Sequence, residues 1–394
     1  MKISIVTSFP YPDGKATANR IEVFTKELLK SPAVSSVEVF CCSSDSNRSF
    51  FMHDSLRVTN LKVNSINKNR LFFRAIHELS LAFRLWWRVR KSAANLVIIS
   101  VPSMLLLVPL ILSPKKFLIA LDLRDAVWTY FGRGLFSRLA GKVIAIIFSL
   151  AARRSVIISV TNSEEFEQIK ALTGRSPLLV ANGISKVKLG AMKSLSLPAL
   201  SKITRLAYIG NVGIAQEIDQ LINFSKKISN LEITIVGDGA KLEELKKMCE
   251  NENINNVLFS GVVHPSEVIK YMERADILFA QIGLKYSTAV PTKIFEYIAS
   301  GRKVLLGLPK GPARTIFSEF HGVEIFDIGN RECFLESYNR LINSEFTEEG
   351  KKLNLGLLAS HYLREDSVKK LVEAIECSRS VIMKSSKIIG LSEK

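Results

Sequence analysis

Residues 203–222 read ITRLAYIGNVGIAQEIDQLI, and residues 231–245 read LEITIVGDGAKLEEL. Each opens with an apolar run of strand length, turns at glycines and continues in a helical pattern. Strand, tight turn and helix repeated in that order build a parallel sheet with helices on both faces. Further strands are expected at 257–260, in ADILFA (275–280) and in RKVLLG (302–307), with helices near 216–225, 241–249, 266–273 and 292–300. The same alternation runs through the first half. Strands are expected at 3–7, 37–41, 97–101, 117–121, 156–160 and 178–180, and helices at 17–30, 70–91, 135–153 and 163–172. The stretch SKVKLGAMKSLSLPALSK (185–202) has no clear period and reads as a linker. The expected fold is α/β, with two doubly wound, Rossmann-like domains at 1–190 and 191–364. Residues 365–394 form a C-terminal helical segment able to cross back to the first domain. Two such domains facing each other would set their strand C-termini, where open α/β sheets bind ligands, on either side of one central cleft.

The 394 residues are 47% hydrophobic and 23% charged, which fits two packed cores and excludes a disordered chain. Five cysteines, paired in sequence only at Cys41-Cys42, point to a reducing compartment. The opening MKISIVTSFPYP reads as a buried strand and a turn, with no signal-peptide apolar region or cleavage site. The run 96–112 (LVIISVPSMLLLVPLIL) is broken by Pro102 and Pro109 and falls short of the ~20 apolar residues of a spanning helix. The apolar stretch 143–152 is shorter still, so no spanning segment is expected.

Charge is unevenly placed. Residues 1–190 hold 27 Lys and Arg against 12 Asp and Glu, leaving 27 against 25 in the remainder, so nearly all of the net +17 belongs to the first half. That asymmetry suits a polyanionic partner, either nucleic acid or an anionic membrane surface. Arg70, Arg74, His77, Leu81, Arg84, Arg88 and Lys91 recur at helical spacing, as do Phe72, Ile76, Leu79, Phe83 and Trp86 beside Trp87. At about 100° per residue the two stripes fall on opposite faces. A basic face backed by aromatic and aliphatic side chains suits a helix at a lipid surface. The same pattern also suits a helix docked on its own domain with a solvated basic face.

The strand ends carry the candidate chemistry. Gly14 lies where the first strand must turn into a helix, and a glycine there permits positive φ or close approach to a ligand. Gly210, Asn211 and Gly213 sit between strand and helix, spaced so that backbone N–H groups can face a phosphate at the helix N-terminus. They form neither a G-x-G-x-x-G pattern nor a P-loop. Gly237-Asp238-Gly239 makes a second such turn. In VPTKIFEYIASGRKVLLG (290–307), Pro291 suits a first helical turn, with Thr292, Lys293 and Glu296 close behind. Lys293 in that turn opposes the helix dipole unless an anion sits there, and a diphosphate would resolve the conflict. Glu296, one turn deeper, can accept two hydrogen bonds from a ribose diol. A Lys–Glu pair on a solvated face is the plain alternative.

Taken together, Gly14, LDLRDAVW (121–128), SVTNSEEF (159–166), VANGIS (180–185), YIGNVG (208–213), IVGDG (235–239) and PTKIFEYIASG (291–301) resemble glycosyltransferases of family 4. The likeness is strongest to bacterial members that extend O-antigen or capsular oligosaccharides. The resemblance implies the two-domain GT-B fold, a nucleotide-sugar held by the second domain, and transfer with retention of anomeric configuration. It places Gly210, Asn211 and Lys293 near the diphosphate, Glu296 on the ribose, and Gly237 and Gly261–Val263, Val262 among them, beside the base. The family often has two glutamates separated by seven residues. Glu296 matches the second, and Thr288 stands at the first. Many members place a histidine near the reacting sugar; here Asp125 is the nearest polar group, either orienting or deprotonating an acceptor hydroxyl or serving as a structural partner of Arg124.

No Asp-x-Asp occurs, and no His/Cys cluster has metal-ligand spacing. Leaving-group charge would then fall to helix N-termini and basic side chains, and neither metal nor cofactor is expected beyond the donor itself. The expectation is a metal-independent transferase moving a sugar from a nucleoside-diphosphate-sugar to a lipid-linked surface glycan. It would sit in the cytoplasm, peripherally on the inner face of the plasma membrane. A non-hydrolysing nucleotide-sugar epimerase of the same fold would leave the amphipathic helix unexplained. A nucleic-acid-binding protein using the basic half would leave the glycine turns without a task.

Overall fold

The structure is a computed structural model describing residues 1–12, 16–43, 48–63, 71–101, 103–112, 117–131, 134–198 and 201–378, with residues 16 and 71–74 described by backbone only. The chain divides into two compact units. One is Met1–Ala181 together with the chain from Arg364 onward, and the other is Asn182–Leu363. The division falls nine residues before the expected boundary. Ile184 already pairs with Leu363, and Gly183 lies so close to Tyr362 that a Cβ there would stand 2.0 Å from its carbonyl oxygen.

The first unit runs β1 (Lys2–Val6), α1 (Ala16–Lys30), β2 (Ser36–Ser43), β3 (Arg48–His53), β4 (Leu56–Lys62), α2 (Leu71–Val89), β5 (Leu96–Val101), α3 (Leu107–Leu112), β6 (Leu118–Leu123), α4 (Leu135–Arg154), β7 (Ser155–Val160), α5 (Ser163–Thr173) and β8 (Leu178–Leu179). Its sheet has the order β3-β4-β2-β1-β5-β6-β7-β8 and is parallel except for the β3–β4 pair. Strands β3 and β4 were not expected from sequence. β4 buries Thr59 and Asn60 beside Val58 and Leu61, so its polar centre hides an interior strand, while β3 is an exposed edge.

Two cores cover the two faces of this sheet. On one, Leu81, Leu85, Trp86 and Val89 of α2 join Leu107 and Leu110 of α3 and Phe148, Ala151 and Ala152 of α4. On the other, Ile21, Phe24 and Leu28 of α1 meet Val368, Leu371, Val372 and Ile375 from the last described helix. The face assignment expected for α2 is corrected here. Leu81, Leu85 and Val89 repeat every four residues and take the core side with Trp86, which packs edge-on against Phe117. Phe83 and Trp87 instead lie exposed beside Arg84 and Arg88, so aromatic and basic groups share one solvent face. Lys91 lies over the Trp87 ring at 5.4 Å. Arg70 lies outside the described residues, as does the side chain of Arg74.

The second unit begins with α6 (Lys186–Lys193), then β9 (Thr204–Ile209), α7 (Ile218–Ser225), β10 (Leu231–Val236), α8 (Leu242–Asn251), β11 (Val257–Gly261), α9 (Val268–Arg274), β12 (Ile277–Gln281), α10 (Thr292–Ala299), β13 (Lys303–Gly307), α11 (Pro312–Phe317), β14 (Val323–Phe326), α12 (Arg331–Asn343) and α13 (Glu348–His361). Helix α14 (Arg364–Cys377) packs against α1 of the first unit. The sheet is parallel throughout, ordered β11-β10-β9-β12-β13-β14. Part of the stretch expected to be a linker is α6. Ser185 caps it by accepting the Lys188 N–H, and Met192 enters the core with Leu195.

Candidate functional site

A doubly wound sheet opens a crevice at the carboxyl ends of its strands, where the direction of winding reverses. In the second unit that point lies between β9 and β12, the central pair of the sheet. The loop after β9 holds Gly210, Asn211 and Gly213, and the segment after β12 leads through Thr288 to α10. Tyr297 of α10 joins these two elements: its hydroxyl donates to the Ile209 carbonyl at 2.8 Å and accepts the Ile209 N–H at 3.1 Å. The end of β9 is thereby bonded to the middle of α10.

Helix α10 starts at Thr292, with Pro291 as its N-cap rather than in its first turn, and no side chain caps it. The residue before the helix therefore contributes no N–H, and no side-chain oxygen meets the first-turn donors, of which the Ile294 N–H donates to the Pro291 carbonyl at 3.3 Å. Lys293 sits in this turn. Burial pushes its ammonium below the ordinary lysine range, Glu296 pulls it up and Lys188 pushes it further down. Glu296 is buried and accepts from the Lys188 ammonium at 2.6 Å. The plain alternative, a solvated Lys–Glu pair on one helix face, does not form: Glu296 pairs between α10 and α6 instead, and Lys293 is a second cation acting on the same turn. Lys188 lay within the stretch read as a linker. Its signal in the sequence was Ser185, a helix-capping residue three positions ahead, followed by Leu189 and Met192 at helical spacing.

The glycine turns have a different task from the one expected. Gly210 N–H donates to Val236, Val212 N–H to Asp238, and Gly213 N–H to the Gln216 side chain. The N–H groups of Gly210 and Gly213 are therefore committed within the protein rather than aimed at a phosphate. A Cβ at Gly237 would stand 1.9 Å from the Gly210 carbonyl oxygen, and one at Gly239 2.2 Å from that of Val212. These glycines let the loops after β9 and β10 lie one on the other. The Asn211 side chain donates to Gln216 at 3.1 Å, and Val262, past the end of β11, is largely exposed. Thr288 is buried. Gly14 lies outside the described residues.

Asp125 belongs to the first unit, just beyond β6. Its carboxylate accepts from the Tyr130 hydroxyl at 3.1 Å, so its hydrogen-bonding partner is Tyr130. Burial raises its pKa, against the pull of Arg124 and of that hydrogen bond. Arg124 donates to Thr17 at 2.6 Å. The buried ion pair here is Arg20–Asp122 at 2.7 Å, supported by Ser100, Ser159 and the Val180 carbonyl. Burial alone would raise the Asp122 carboxyl, but Arg20 holds it below the aspartate range. Neighbouring Glu165 is fully buried, and burial pushes its carboxyl up to about 8, opposed by the bonds that it accepts from Thr161. Its second oxygen has no partner.

Residues 199–354 match the family of glycosyl transferases group 1. The matched span contains the whole β9–α10 assembly. Domain and fold together define the class: a glycosyltransferase of the GT-B fold.

Solved structures are similar over nearly the full chain. Sucrose-phosphate synthase from Thermosynechococcus elongatus is 14% identical, with a TM-score of 0.75 over 96% of this chain and 99% of that one. The lipopolysaccharide outer core galactosyltransferase WaaB is 16% identical, with a TM-score of 0.62 over 96% of this chain and 100% of its own. Anabaena HepE, solved with UDP and glucose, is 12% identical, with a TM-score of 0.66 over 95% and 99% of the two chains. At these identities the likeness shows the fold. No curated protein sequence matches the chain.

Proposed function

We propose that the enzyme is a retaining, metal-independent member of glycosyltransferase family 4 that extends a lipid-linked surface glycan, of O-antigen or capsule type, at the inner face of the plasma membrane. The observation that carries the donor half is the Glu296–Lys188 bridge in α10, whose carboxylate and ammonium both act on Lys293 in the first turn. Two ammonium groups and a helix N-terminus converge there around one carboxylate. A diphosphate offers Lys293 a counter-charge that favours the ammonium which burial disfavours, and the amide dipoles of α10 add to the same field. Glu296, released from Lys188 or sharing it, accepts the ribose hydroxyls. HepE is described with UDP and glucose, so uridine-diphosphate sugars are the first donors to test.

The acceptor half rests on the +15 balance of residues 1–190 and on the name of WaaB, a lipopolysaccharide transferase. Asp125 is the candidate group for orienting or deprotonating the acceptor hydroxyl. A carboxyl whose pKa is raised by burial holds a proton more readily than an ordinary aspartate does.

A panel of nucleotide-sugars screened by thermal shift tests the reading, because a ligand that binds only the folded state raises the melting temperature by mass action. One donor should stabilise the wild type. Lys293→Met and Glu296→Ala should melt as the wild type does without ligand and lose at least about tenfold in donor affinity, the scale of one charge-assisted contact. Unchanged affinity in both variants would remove the site.

A further inference from the structure

Helix α4 presents a solvent face that its own unit does not use. Its inner side, formed by Gly141, Phe148, Ala151 and Ala152, is buried, Gly141 against Phe131 and Trp128 and the others in the core of the first unit. On the outer side Leu135, Leu139, Val143, Ile146 and Leu150 recur at spacings of four, four, three and four, and are between 39% and 81% exposed. At about 100° per residue they form one stripe opposite the buried side. Phe136, at 87% exposure, widens it at the N-terminal end. Arg138, Lys142 and Arg153 are exposed along the same helix, which has no acidic residue. The helix is long and apolar enough to cross a membrane by length and composition, but crossing would pull Phe148, Ala151 and Ala152 out of the core.

We propose that α4 lies in the plane of an anionic phospholipid surface, with its apolar stripe among the acyl chains and its cations at the phosphates. Charge selects this occupant. A second copy of the chain seated on the stripe would bring rows of arginine and lysine together with no carboxylate on either helix to meet them. An anionic headgroup layer meets those cations directly, and the excess positive charge of residues 1–190 adds long-range attraction. Helix α3 packs against both α2 and α4, and its exposed end residue Leu112 stands in the same helical layer. Arg154 donates to the Ile111 carbonyl at 2.9 Å, tying the end of α3 to the end of α4. The inference deepens the reading of a membrane-held acceptor by naming the element that holds the enzyme there.

The test is co-sedimentation of the full chain with phosphatidylethanolamine–phosphatidylglycerol vesicles and, separately, with phosphatidylcholine vesicles. Wild type should partition to the anionic vesicles and be released by salt. Leu139→Glu combined with Ile146→Glu should lower partitioning at least about tenfold, and so should Arg138→Glu combined with Lys142→Glu. Leu353→Glu, an equally exposed leucine in the second unit, should leave it unchanged. Undiminished partitioning in both double variants would overturn the proposal, as would a dimer of wild type that light scattering finds dissociated in the Leu139/Ile146 variant. Donor-induced thermal shift, read on the same variants, should persist. Its absence in the wild type would count against the proposed transferase chemistry and leave the vesicle result to be judged by itself.

Discussion

Glu165 follows Asn162 at the start of α5, and the Asn162 side chain caps that helix by accepting the Glu165 N–H at 2.9 Å. The carboxylate returns the favour by accepting the Thr161 N–H, an exchange that fixes the turn between β7 and α5. Because the folded-state pKa stands near 8, above the ordinary value of 4.5, the protonated form is the one the fold prefers. The stabilisation is therefore complete below pH 4.5 and is lost as pH rises through about 8. Glu165→Gln keeps the acceptor for Thr161 and cannot ionise. Melting curves of wild type and variant should therefore diverge between pH 5 and 8, the wild type losing ground at about 1.4 kcal/mol per pH unit. Parallel pH profiles would contradict the buried, partnerless oxygen. Lys188 and Glu296 teach a second lesson at this scale. Glu296 stood out in the sequence as a candidate, whereas its partner did not, because 108 positions separate the two and only the fold brings them to 2.6 Å.

Among the elements, the glycine turns were located correctly and explained differently. Their positions between strand and helix follow from local sequence, but their reason lies in the neighbouring loop. Gly237 has φ of 134° and faces the Gly210 carbonyl at a distance no Cβ tolerates. Gly237→Ala should lower stability by about 2–4 kcal/mol, since backbone strain and a steric clash add. Differential scanning calorimetry with and without donor reads this, and an alanine variant of wild-type stability would show that the loops do not need to touch. Helix α2 carries the same distinction. Its period was legible from residues 70–91, yet which stripe faced inward depended on the partners available. Trp86 lies in the core, in a T-shaped contact with Phe117, and Trp87 is left outside.

On the scale of the whole molecule, the first unit is built from two separate stretches of the chain, Met1–Ala181 and the helix from Arg364. Helix α14 places Val368, Leu371, Val372 and Ile375 in the core built by α1, so the first unit is incomplete until α14 is made. Leu371→Ala should cost about 2–5 kcal/mol, the range for a buried leucine. The loss should fall on the first unit, with donor-induced stabilisation of residues 182–363 retained. Hydrogen exchange resolved by unit checks this, and equal loss of protection in both units would show that they unfold as one.

What residue order alone determined was the alternation of strand and helix and the glycine turns that join them. These depend on periodicity and on contacts within a few residues, which a sequence carries openly. Only the tertiary structure decided that Lys188 meets Glu296, that the glycines serve loop against loop, that β4 hides polar residues inside a sheet, and that the apolar stripe of α4 is left outside. Each of these is a contact, or a missing contact, between segments far apart in the chain. Whether a side chain is buried depends on what the folded backbone brings against it, and local spacing holds no record of that.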